Sequence, residues 1–72
     1  MKILYRNALG NLTALEADAL SVMPEDDDVP VPCLYHVVAE VGEYTIPIVL
    51  NKDKREADSI FMQLYETGRY LP

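Results

Sequence analysis

Apolar residues recur at Ala57, Ile60, Phe61, Leu64 and Tyr65, intervals of three, four, seven and eight that line one face of a 3.6-residue helix. Arg55, Glu56, Asp58, Ser59, Gln63 and Glu66 make up the polar face. Asp53 can cap the N-terminus with Glu56 three residues on, and Gly68 supplies a left-handed stop. The pattern predicts a helix over about 54–67.

Before it, 33–41 and 44–50 are rich in valine, isoleucine and tyrosine and flank Gly42-Glu43. A two-residue type II′ turn suits that dipeptide, because glycine takes the positive φ at its first central position. The turn sets a register of Val41 with Tyr44, Ala39 with Ile46, Val37 with Ile48 and Tyr35 with Leu50. That apolar face should lie under the helix. The opposite face carries Leu34, His36, Val38, Glu40, Thr45, Pro47 and Val49. Pro47 falls in a non-hydrogen-bonded pair, so its missing N–H would have pointed outward, and the 44–50 strand should be an edge.

Residues 1–8 read as a strand followed by the turn-forming Gly10-Asn11. Asn11 to Leu20 admits a helix capped by Asn11, but the alternation of Leu20-Ser21-Val22-Met23 favours a strand over 12–23. A tight turn at Gly10-Asn11 would place Glu16 and Asp18 beside Tyr5 and Ile3, so a bulge near Ala17 is needed to repair the faces. Residues 24–32 hold three prolines and four adjacent carboxylates, which exclude a regular element. The expected fold is α+β, a three- to four-stranded antiparallel meander with one C-terminal helix on one face, forming a single domain over 1–72.

The chain has six basic and twelve acidic residues, a formal charge of −6. Lys2, Arg6, Lys52, Lys54, Arg55 and Arg69 are the basic ones, so none lies between Asn7 and Asn51. Direct nucleic-acid binding is disfavoured, because that affinity comes from cations neutralising phosphates. Solubility is the simplest role of the acidity, and Glu25, Asp26, Asp27, Asp28, Glu40 and Glu43 are the candidate acidic surface. No stretch approaches the roughly 20 apolar residues of a membrane span and no secretory signal opens the chain. The one cysteine suits a reducing compartment, so a cytoplasmic location is expected.

Cys33 and His36 have the spacing of a metal pair, yet residues three apart on a strand point to opposite faces. The Glu25 to Asp28 run lacks the alternation and glycine of a calcium loop. No nucleophile and base, glycine-rich phosphate loop or paired-histidine motif occurs. The expectation is no metal, no cofactor and no catalysis.

Five tyrosines accompany one phenylalanine. Tyr35, Tyr44 and Tyr65 fall to the expected core. Tyr70 lies beyond the helix stop and either folds back onto the sheet or meets another chain. With one helix, Leu34, Val38, Pro47 and Val49 would form an apolar patch, which with Tyr70 and Leu71 is the candidate interface. A chain this short has a marginal core, and a partner, another protein or a second copy in a dimer, would enlarge it.

Val41-Gly42-Glu43-Tyr44 followed by Lys54-Arg55-Glu56-Ala57 resembles the layout of small acidic α+β proteins of bacteria and phages. The resemblance implies the fold and carries no activity. The expected function is a non-enzymatic, self-associating interaction module. The alternative is an acidic regulator that covers the basic surface of a nucleic-acid-binding protein.

Overall fold

The computed structural model describes residues 1–26, 28, 30 and 34–72. The elements are β1 (Lys2–Arg6), β2 (Leu12–Glu16), β3 (Ala19–Pro24), β4 (Tyr35–Val41), β5 (Tyr44–Lys52), α1 (Lys54–Thr67) and β6 (Arg69–Tyr70). The fold is α+β, but the strands form two three-stranded sheets rather than one meander. Sheet A has the order β2-β1-β6 and sheet B the order β3-β4-β5.

The division falls in the middle of the expected 12–23 strand. Ala17 N–H donates to the Met1 carbonyl at 2.7 Å, and Asp18 N–H donates to the Glu40 carbonyl at 2.7 Å. Two consecutive amides thus belong to different sheets. The mixed faces that called for a bulge do not arise, because the first turn spans Asn7 to Asn11 instead of lying at Gly10-Asn11, which pairs Ile3 with Leu15 and Tyr5 with Thr13. Ala17 is buried at the crossing.

Helix α1 forms where its periodicity and caps predict. The Asp53 side chain accepts the Glu56 N–H at 2.8 Å, and Gly68 closes the helix at φ 74° with its N–H on the Leu64 carbonyl. Ala57, Ile60 and Leu64 are buried. Tyr65, expected beside them, is 63% exposed and stacks on Phe61 with ring centroids 6.2 Å apart. At 100° per residue Tyr65 lies about 80° round from Ala57, outside the buried arc.

The core joins both sheets and the helix: Ile3 and Tyr5 from sheet A, Leu20, Val37, Ala39 and Ile48 from sheet B, and Ala57, Ile60 and Leu64 from α1. Tyr35 and Phe61 pack at its margin. Tyr5, rather than Tyr44, is the tyrosine within it. Tyr44 is 74% exposed; a 14-residue helix spans about 21 Å while nine residues of strand span about 30 Å, so the hairpin tip extends past the cover.

The β4–β5 register holds near the turn, with Val41 opposite Tyr44, Ala39 opposite Ile46 and Val38 opposite Pro47. It then shifts, and Val37 faces Val49 instead of Ile48 while Tyr35 faces Lys52 instead of Leu50. Two extra residues are absorbed by β5. Asn51 takes φ 59°, and its N–H donates to His36 Nδ1 at 3.2 Å. Strand β5 is an edge, as Pro47 requires.

Of the two alternatives for Tyr70 the structure takes the fold back onto a sheet, as the short parallel strand β6. Arg69 and Tyr70 pair parallel with Leu4 and Tyr5, and the Leu4 N–H donates to the Gly68 carbonyl at 2.7 Å.

Candidate functional site

Alternation along β1 sends Ile3 and Tyr5 into the core, so Lys2, Leu4 and Arg6 face outward. Pairing sets Lys2 opposite Glu16, Leu4 opposite Ala14 and Arg6 opposite Leu12, and Arg69 beside Leu4. The outer face of sheet A therefore carries three of the chain's six basic residues. Leu12 is 56% exposed, Ala14 is exposed and Leu4 is half-buried. A shallow hollow of about 440 Å³ opens there, lined by Lys2, Leu4, Ala14, Gly68 and Arg69. Sequence reading missed this site. The Lys2-Leu4-Arg6 alternation is visible in the chain, but Arg69 joins it only through the parallel pairing of β6.

The candidate acidic residues divide between the ends of sheet B. At one end the Asp18 carboxylate accepts the Gly42 N–H at 2.7 Å, which fastens the sheet crossing to the hairpin turn. Glu40 lies opposite Thr45 and next to this contact, and Glu43 is in the turn itself. At the other end Glu25 N–H donates to the Leu34 carbonyl, and Asp28 N–H donates to Asp26 Oδ1 at 3.0 Å. The six residues of β3 put about 20 Å between these ends. Asp27 and Cys33 lie outside the described residues.

The apolar candidates do not share one patch. Val38 is only 4% exposed. The shift after Pro47 directs both Ile48 and Val49 to the core side, where Val49 packs at its margin. Tyr70 also packs against the core. Leu34 is half-buried, Pro47 exposed and Leu71 42% exposed. Pro47, Val49 and Tyr70 do meet along a groove of about 390 Å³ between β5 and the chain's last residues, with Arg6 and Lys52 at its rim.

Two of the remaining cations, Lys52 and Lys54, have partners on the helix. Lys52 pairs with Glu56 at 3.6 Å, and Lys54 pairs with Asp58 at 2.6 Å while its Nζ sits 5.8 Å from the Tyr35 ring centre. Lys2, Arg6 and Arg69 make no side-chain ion pair among the described residues.

Among the described residues no three His, Cys, Asp or Glu side chains are grouped to hold a metal ion, and no helix is long and apolar enough to cross a membrane. The outer face of sheet A thus carries cations spaced around an apolar strip. No protein family, curated protein or solved structure matches the chain.

Proposed function

We propose that this protein is a non-enzymatic interaction module that associates with further copies of itself. The observation that supports this is the outer face of sheet A, where Leu12, Ala14 and Leu4 form an apolar strip left open by the only helix among the described residues. Exposed leucines scattered singly are ordinary, but an apolar strip rimmed by charges is the pattern of a contact surface. Light scattering behind a sizing column tests the reading. Mass should rise with loading concentration, and a strict monomer at tens of micromolar removes self-association.

A second reading, an acidic regulator of a nucleic-acid-binding protein, is favoured by the grouping of Asp18, Glu40 and Glu43 at one end of sheet B. Its test is salt-sensitive capture of a basic nucleic-acid-binding domain. Loss of capture on replacing Glu40 and Glu43 with glutamine is the expected outcome; capture that ignores those changes sinks it.

A further inference from the structure

We propose that the hairpin tip of one copy, Asp18, Glu40, Glu43 and Tyr44, docks in the cationic hollow on the outer face of sheet A of a second copy. This rests on the self-association reading and specifies its geometry.

Charge chooses the occupant. The strand residues on the outer face of sheet A bring together Lys2, Arg6 and Arg69 against one carboxylate, Glu16, a formal +3 − 1 = +2 in a chain of −6. The chain's own acidic tip meets this face with opposite sign: Asp18, Glu40 and Glu43 fall in a stretch, between Asn7 and Asn51, that holds no Lys or Arg.

Shape agrees with charge. Tyr44 is 74% exposed at the end of a hairpin, held out by the Asp18 carboxylate on the Gly42 N–H. A tyrosine presents a rigid apolar ring with a polar end, the side chain most often found as an interface anchor. The floor of the hollow is Leu4, Ala14 and the bare backbone of Gly68, and its walls are Lys2 and Arg69. A ring seated on that floor brings Glu43, its neighbour in the turn, against the two cations, while Glu40, opposite Thr45 on the other face of the hairpin, adds to the charge of the tip.

Tip and hollow are different surfaces of one protomer. Their union is either reciprocal across a two-fold, each tip in the other copy's hollow, or head-to-tail in a ring or chain.

Two double variants test the arrangement, each checked for native circular dichroism: Lys2→Glu with Arg69→Glu reverses the hollow, and Glu40→Lys with Glu43→Lys reverses the tip. The wild-type chain should associate in low salt and dissociate as salt rises. Each variant alone should be monomeric, and an equimolar mixture should associate again, since every tip then finds a hollow of opposite charge. Tyr44→Ala, with all charges retained, should weaken association at least about tenfold. If the wild-type chain associates and the tip-reversed variant does so equally, or if the mixture stays monomeric, the docking geometry is wrong while self-association stands. A monomeric wild-type chain removes both.

Discussion

The carboxylate of Asp18 receives the backbone N–H of Gly42 at 2.7 Å, joining the point where the chain changes sheets to a turn 24 residues later. Asp18→Ala should lower stability by about 1 kcal/mol, the usual net worth of a hydrogen bond, this one being exposed to water. Asp18→Asn keeps an acceptor oxygen and should recover most of the loss. Urea unfolding midpoints read both, with an unchanged slope showing that only stability has moved.

Leu64 is 1% exposed and its helix neighbour Tyr65 is 63% exposed. Leu64→Ala should cost about 2–5 kcal/mol, a large share of the roughly 4–11 kcal/mol expected of a chain this long. Tyr65→Ala should stay within about 0.5 kcal/mol of the parent, as surface changes do. Equal effects in thermal melts would contradict the placement of the buried arc.

Gly68 and Gly10 both take positive φ, 74° and 82°, but a Cβ on Gly68 would lie 3.0 Å from the Lys2 carbonyl oxygen while one on Gly10 meets nothing within 4 Å. Alanine at Gly10 should cost about 1 kcal/mol, from backbone conformation alone. Alanine at Gly68 should cost clearly more, because β6 must move off β1. Amide exchange would show the added loss at Leu4, whose N–H bonds to the Gly68 carbonyl.

Asn51 holds φ 59° without being glycine. Asn51→Gly should leave stability equal or raise it by up to about 1 kcal/mol. Asn51→Val should lower it by about 1–2 kcal/mol, since a branched Cβ fits a left-handed conformation badly. Both are measured as shifts in melting temperature.

The elements legible in the chain are those whose signals are local. The helix shows in the spacing of Ala57, Ile60 and Leu64 and in its two caps, and the hairpin shows in Gly42. Register could be counted outward from that turn only until β5 took up its extra residues. Those shifts depend on Ile48 and Val49 both reaching the core and on Asn51 meeting His36, which are tertiary contacts. The conflicting faces expected of the first hairpin came from placing its turn at Gly10-Asn11 instead of across Asn7 to Asn11, and the crossing at Ala17 depends on contacts to Met1 and Glu40 that are tertiary. Two residues of β6 are too few for any periodic signal, so the cationic face they complete was hidden with them. Of the candidate contact residues, Pro47 kept its edge position, while Val38 and Val49 were reassigned by packing.

Parallel pairing of Arg69 and Tyr70 with Leu4 and Tyr5 has a consequence for assembly in time. During synthesis the first strand emerges with its neighbour β2, yet its other edge must wait for residues made more than sixty positions later. Closing so long a loop is slow relative to forming helix or hairpin. Completion of sheet A is thus a late event, and until then the Leu4 amide stays open to any other strand that reaches it first.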